Sequence, residues 1–393
     1  MTGEAGQLLS RPAFVVRRIL IALFVLLFPF YLFPSGAPQI SSAAVALACL
    51  LSWRQFPAMI DTSDRRVLLP LFLFIGYTIL VNGWYSATAW NGPLTGIPLV
   101  RGLHYIFNYG LFCVVLLHLR QGGARELLIL MGAVLGSLLL QTVVSVETLP
   151  DGMTRVAGGF NNPNQLGYFA LTSLVMGAAV VFSHTSGVVW TTVFIVSCLY
   201  LVTLSLSHAA IGSVVVLGIV ATVVAWRSRR SILATMAAAA LAFGVVAVLS
   251  PGINLVEVFR WRASRFEGQL RNLAEDRRLV RFRDHYGYVV LGAGEGLSER
   301  FDRPGEVHST PGTLLFSYGV PGTVLFTAFL VGMVRHDALK SGLLLTPLLT
   351  HGLVHNGLRF PWFWLCLCVI YYCSFAAASA EPARVAGTRA RST

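Results

Sequence analysis

Residues 291–333 read LGAGEGLSERFDRPGEVHSTPGTLLFSYGVPGTVLFTAFLVGM. Up to Pro311 the stretch is glycine, proline and charge, the composition of irregular, solvated backbone. From Gly312 to Met333 it carries no Asp, Glu, Lys, Arg or His. A run of that length suits a helix crossing a bilayer, which needs roughly 20 apolar residues. The chain therefore passes from water into hydrocarbon near Pro311. Reading outward from that boundary decides the fold class.

Eleven more apolar segments flank it, at 19–33, 37–53, 67–85, 99–119, 127–146, 165–182, 188–206, 209–226, 231–249, 341–357 and 361–378. Hydrophobic residues make up 55% of the chain and charged residues 12%, against about 25% charged in soluble domains. The expected architecture is an all-α polytopic membrane bundle of about twelve transmembrane helices. It forms one integral membrane domain over residues 1–393, with a hydrophilic loop at 251–311 inserted between helices. The first segment lacks a small-residue cleavage site, so it reads as a retained helix rather than a signal peptide.

A net charge of +12 in a soluble protein would suggest nucleic acid. Its placement here points to a bilayer instead. If the N-terminus is cytoplasmic, sixteen of the 29 Lys and Arg fall on inside segments. Only Arg101, Arg155 and Arg359 fall on short outside segments, and the other ten lie in the long loop. Basic residues collect on the cytoplasmic side of short loops. That bias predicts both termini inside and the long loop outside. The six cysteines all sit in apolar segments, so no disulfide framework or thiolate metal site is legible.

Polar residues that interrupt the pattern are the candidate site. The loop carries eight arginines between Arg260 and Arg283, interleaved with apolar residues at near-helical spacing. That pattern reads as amphipathic helix on the membrane surface over 254–283. Guanidinium groups bind phosphate oxygens in a fork; a solvated face, or attraction to anionic headgroups, is the alternative. His308 follows a Gly/Pro run at the membrane edge, where an imidazole can accept a proton from an attacking hydroxyl. Arg101, His104 and Asn108 share one helix face. His351, His355 and Arg359 share another. Ionisable groups in membrane helices normally face the bundle interior, as hydrogen-bonding partners or as the lining of a cavity. The i, i+4 histidine pair lacks a third ligand nearby, so no metal is expected. Ser207 and His208 fall at a tight turn between two apolar segments.

Three stretches together resemble one family. Arg155-Val-Ala-Gly-Gly-Phe160-Asn-Asn-Pro163-Asn164 is similar to its outside-loop motif, an arginine followed by Gly-Phe and an Asn-Pro-Asn turn. Leu204-Ser-Leu-Ser207-His208-Ala-Ala stands where the family has Ser-Arg and small residues. His308, with Gly319 and Gly322 eleven and fourteen residues later, resembles its histidine motif. The family is that of the O-antigen ligases and polymerases of bacterial envelope glycan assembly. The resemblance spans about residues 67–378 and is carried by these motifs.

It implies a GT-C-type membrane glycosyltransferase of the bacterial inner membrane, using neither a nucleotide sugar nor a required metal or other cofactor. The donor would be a glycan on undecaprenyl diphosphate. The acceptor would be a sugar hydroxyl, and envelope-glycan assembly proteins would be its partners. By resemblance His308 is the essential histidine and Arg155 the first-motif arginine. One of Arg277, Arg278, Arg281 and Arg283 is the loop arginine, with Arg278 or Arg281 favoured. Asn164, His208, His355, Arg101 and Arg359 would line the substrate site. The chain departs from the pattern at His208, Ser309 and Ser317. His208 replaces an arginine whose charge Arg101 or Arg359 would supply. These departures fit a divergent capsule or exopolysaccharide polymerase better than a ligase. A transporter or flippase of lipid-linked glycan is the rival class, but it should show paired broken helices and internal repeats. No repeat is legible.

Overall fold

A computed structural model describes residues 11–34, 37–57, 64–89, 98–143, 146–148, 154–183, 187–225, 260, 264, 268, 272–301 and 304–390. The described residues are mostly helical. In order the helices are α1 (Arg11–Leu27), α2 (Ile40–Ser52), α3 (Arg65–Thr88), α4 (Pro98–Leu140), α5 (Pro163–Ser183), α6 (Val188–Ser205) and α7 (His208–Ala225). Three one-turn helices follow: α8 (Leu273–Asp276), α9 (Arg281–Asp284) and α10 (Tyr288–Leu291). The chain closes with α11 (Thr310–Val334), α12 (Ala338–Val354) and α13 (Pro361–Ala390). Among the described residues the only strands are β1 (Val146–Thr148) and β2 (Thr154–Val156), an antiparallel ribbon pairing Glu147 with Arg155.

Eleven of the twelve apolar segments lie on these helices; 231–249 falls outside the described residues, as does most of the expected amphipathic stretch at 254–283. Among the described residues, five helices (α3, α4, α5, α6 and α11) are long and apolar enough to cross a membrane. α7, α12 and the first half of α13 contain shorter apolar helices. α4 has 43 residues, about 65 Å at 1.5 Å per residue, twice a hydrocarbon core of about 30 Å. It breaks at Gly123, whose φ is 66°, so its halves match the separate segments 99–119 and 127–146. α1 begins earlier than expected and stops at Leu27, because Pro29 and Pro34 cannot continue a helix.

α3 packs on α11, α5 on α6 and α13, α12 on α7, and α1 on α2 and α4. Large rings fill the centre: Phe28 stacks on Trp362 at 4.9 Å, and the Trp362 indole N–H donates to Ser173 Oγ at 3.0 Å. The helix exteriors are broadly apolar, with Val15, Ile19 and Leu23 exposed along α1 and Leu50, Leu80 and Leu353 exposed on α2, α3 and α12.

The two ends of the bundle differ. One end is held by paired charges. Arg17 donates to His118, Ser52 and Gln55, and Arg18 forks onto Glu126 at 2.5 and 2.7 Å. Asp64 there accepts from Arg120 and from the Tyr371 hydroxyl, both at 2.6 Å. Buried charges persist because each has a partner. The other end gathers the β-ribbon, the α6–α7 turn, the 272–309 segment and the starts of α4, α5, α11 and α13.

Candidate active site

The segment between Leu291 and Ser309 is set by a defect in α11. Pro321 has no N–H to offer the Ser317 carbonyl, and the helix is broken at Gly319, with φ 64°. The freed carbonyls of Phe316 and Ser317 accept the N–H groups of Ala293 and Gly294, both at 2.8 Å. Contact is so close that only glycine fits on either side. A Cβ on Gly292 would lie 2.5 Å from the Ser317 oxygen, and one on Gly319 would lie 2.6 Å from the Leu291 carbonyl carbon. Tyr77 and Tyr85, from α3, donate their hydroxyls to the carbonyls of Leu291 and Gly292. The Gly-rich stretch is therefore a backbone ribbon lying along a broken helix.

That ribbon carries Glu295 into the bundle, where it is 7% exposed. Its N–H donates to Asn82 Oδ1 at 2.8 Å. Its Oε1 accepts the hydroxyls of Tyr105 at 2.5 Å and Tyr318 at 2.9 Å, and Oε2 faces Arg359 Nε at 3.4 Å. Arg359 also forks onto Glu306, with one bond at 3.1 Å from Nη1 and a second from Nη2. Arg101 approaches the same Glu306 carboxylate at 3.7 Å. Burial alone would raise the Glu306 pKa, but Arg359 and then Arg101 hold it below the ordinary carboxylate value. Burial likewise works against the charge on Arg359, yet Glu295 and Glu306 raise its pKa.

Beside this network lies a cavity of about 580 Å³, within the range of roughly 300–1,000 Å³ usual for small-molecule sites. Arg101, His104 and Asn108, on the shared face of α4, all line it, with Glu306, Asn356 and Arg359. Ser41 from α2, Gln165 from α5 and the rings of Tyr31, Phe107 and Phe360 complete its wall.

His308 stands two residues beyond Glu306 and is exposed. Its N–H donates to the Arg277 carbonyl at 3.3 Å, and the next residue, Ser309, caps α11 by accepting from the Gly312 N–H. The ring is partly desolvated and lies in the field of Arg277, Arg278 and Arg359, opposed by Glu306. Its pKa is lowered, by desolvation first and then by Arg277. These surroundings favour the uncharged imidazole.

The four loop arginines differ in occupation. Arg281 is 4% exposed, donates to the Gly305 carbonyl at 2.6 Å and sits over the Phe301 ring at 4.6 Å. Arg278, with φ 59°, donates to the carbonyls of Pro304 and Glu275. Arg283 is exposed and pairs with Asp284. The Arg277 guanidinium makes no hydrogen bond among the described residues, and desolvation lowers its pKa. Arg278 and Arg281 brace the loop that carries His308, whereas Arg277 Nε is buried without a hydrogen-bond acceptor among the described residues.

Arg155 is bound elsewhere. Its Nε and Nη2 both donate at 3.1 Å to the Ser205 carbonyl, the last of α6, and Nη2 also donates to Asn164 Oδ1. An arginine closing the C-terminal carbonyls of a helix is a structural clamp. It fixes the α6–α7 turn, where Leu206 is left-handed (φ 50°) and His208 begins α7. No described contact joins Arg155, Asn164 or His208 to His308.

His351, His355 and Arg359 do not share a helix face. α12 stops at Val354 and His355 is extended, its carbonyl taking the Thr310 N–H at 3.2 Å and hydroxyl at 3.0 Å. Arg359 reaches the site from the following loop. The His355 ring stacks on His351 at 4.8 Å, and His351 stacks on Tyr168 at 4.2 Å. The pair is stacked face to face.

Glu295, Glu306, Tyr105, Tyr318 and Asn356 are site residues that the sequence reading passed over. The two acids sit in the Gly/Pro-rich stretch 291–311, where Glu295, Glu299, Asp302 and Glu306 outnumber Arg300 and Arg303; that acidic balance was the available signal. No protein-family model and no curated protein matches this chain.

Proposed function

We propose that the protein is a polytopic glycosyltransferase of the bacterial inner membrane. It moves a glycan from undecaprenyl diphosphate to a sugar hydroxyl, as a polysaccharide polymerase or an O-antigen ligase. The bundle crosses the membrane twelve times, with both termini cytoplasmic and the loop at 251–311 on the periplasmic side. His308 takes the proton of the acceptor hydroxyl as its oxygen attacks the anomeric carbon. The bond from that carbon to the diphosphate breaks, and Arg277 with its neighbours stabilises the charge that grows on the departing lipid diphosphate.

One juxtaposition supports this reading. His308, lying in the field of Arg277, Arg278 and Arg359, is two residues from Glu306 at the wall of the 580 Å³ cavity. A histidine in the field of several cations suits transfer from a diphosphate to a hydroxyl. The test is product analysis with purified protein in lipid nanodiscs, given a lipid-linked repeat unit. A ladder of longer glycans with released undecaprenyl diphosphate is expected. Movement of intact substrate across sealed vesicles without a ladder would replace the reading with a flippase.

A further inference from the structure

The cavity wall holds a carboxylate where a ligand's oxyanion would be expected. Glu306 lies between two arginines of different elements, accepting the fork of Arg359 and standing 3.7 Å from Arg101. Planar bidentate geometry of this kind is what guanidinium offers to phosphate and carboxylate alike. Arg359 does not depend on Glu306 for its position, because Glu295 holds it from the other side at 3.4 Å. Glu295 is itself fixed by two tyrosine hydroxyls and a backbone bond. Glu306, by contrast, makes no described side-chain contact except with the two arginines and is about one-third exposed.

Two further atoms of the same wall lack partners. Asn108 is 0% exposed and donates through Nδ2 to the Leu358 carbonyl, while its Oδ1 accepts from no described group. Ser41 is 2% exposed and its Oγ is likewise unpartnered. A buried carbonyl oxygen and hydroxyl left unpaired are costly unless something fills them.

We infer that Arg101 and Arg359 form an oxyanion site whose empty state is filled by the chain's own Glu306, and which takes the phosphate or carboxylate of a hydroxyl-rich ligand. The oxyanion replaces the Glu306 carboxylate on the two guanidinium groups, and Glu306 swings into solvent. This rests on the transferase reading for the identity of its ligand, which is either the donor's diphosphate or an acidic sugar. The internal carboxylate lowers apparent affinity by the fraction of molecules in which it is displaced.

The test is calorimetric titration of the full chain in nanodiscs, wild type against Glu306→Gln, with inorganic pyrophosphate, glucuronate and glucose. Glu306→Gln removes the competing charge, so it should bind at least one of the two anions about tenfold more tightly than wild type. A gain for pyrophosphate assigns the site to the phosphate linker, and a gain for glucuronate assigns it to an acidic sugar. Glu306→Gln/Arg359→Gln should lose the gain. If Glu306→Gln does not fold, Glu306→Asp, too short to hold both arginines, should show a smaller gain in the same direction. No gain for either anion, a gain that survives loss of Arg359, or an equal gain for glucose would overturn the site. A glycan ladder with no anion gain would sink this site alone. Anion binding with no ladder would sink the transferase reading alone.

Discussion

Replacing Glu295 should expose the energetic centre of the site. In Glu295→Ala, the hydroxyls of Tyr105 and Tyr318 lose the oxygen they share at 2.5 and 2.9 Å, and Arg359 loses one of its two carboxylates. Leaving a buried ionic network without one partner costs about 3–5 kcal/mol. Tyr318→Phe removes one hydrogen bond to a charged acceptor and strands the Asn82 Nδ2 donor at 3.3 Å, a loss of about 1.5–3 kcal/mol. Glu295→Gln should fall between these values. It keeps an oxygen for the tyrosines but turns an amide N–H₂ toward the Arg359 guanidinium. Thermal unfolding of the purified chain in one detergent, followed by loss of the monodisperse peak, ranks the three. The expected order of stability is wild type, Tyr318→Phe, Glu295→Gln, Glu295→Ala. The ribbon at 291–296 should loosen with them, read as faster amide exchange at Ala293 and Gly294. A Glu295→Ala protein as stable as wild type would show that the carboxylate is not held as described and would refute the reasoning.

Cysteines placed at Ser264 and Ser298 in a background lacking the native six should react with an impermeant thiol reagent on intact spheroplasts; reaction only after membrane rupture would reverse the topology. Arg277→Ala should abolish most transfer with little change in unfolding temperature, because its guanidinium bonds to no described group. Arg281→Ala should destabilise instead, by about 1.5–3 kcal/mol, since a buried charged donor leaves the Gly305 carbonyl; equal stability losses in the two variants would contradict this division. His308→Ala should lower transfer by roughly 10²–10⁴-fold. Because burial and then Arg277 depress its folded pKa below that of an ordinary imidazole, the ring is lost as a base only in acid, so the rate should rise with pH along an acid limb and level above it. The acid limb should vanish in His308→Ala.

Much of the architecture was legible because hydrocarbon allows few choices. A segment of about 20 apolar residues must satisfy its backbone internally, which makes it a helix. Eleven apolar segments lie on helices for that reason, and the break at Gly123 falls where two segments were separated by a polar gap. Helix ends were less legible: Pro29 and His355 end helices through local chemistry that hydropathy ignores. The α4 face of Arg101, His104 and Asn108 was legible because i, i+3 and i+7 share a side, and it lines the cavity. The equivalent reading for His351, His355 and Arg359 assumed a helix that continues. Asn356, Gly357 and Pro361 are turn and stop signals, and they argued against it.

The pairing of acids with distant residues was beyond any local pattern. Glu295 reaches Tyr105 across 190 positions and Asn82 across 213. In sequence it reads as one charge of a solvated loop. What buries it is the broken α11. Pro321 and Gly319 release two carbonyls, and the glycines at 292 and 294 are narrow enough to bond beside them. The chain next to those glycines is thereby drawn between α3, α4 and α11. Gly319, eleven residues after His308, thus has a mechanical consequence. It lays the loop against the helix so that Glu295 can anchor Arg359 from within. Arg359 then meets Glu306 at the cavity wall, two residues before His308. The broken helix, the internal acid and the exposed base are consecutive links of one structure. A substitution at Gly292 or Gly319 should therefore disturb chemistry at His308 without touching it.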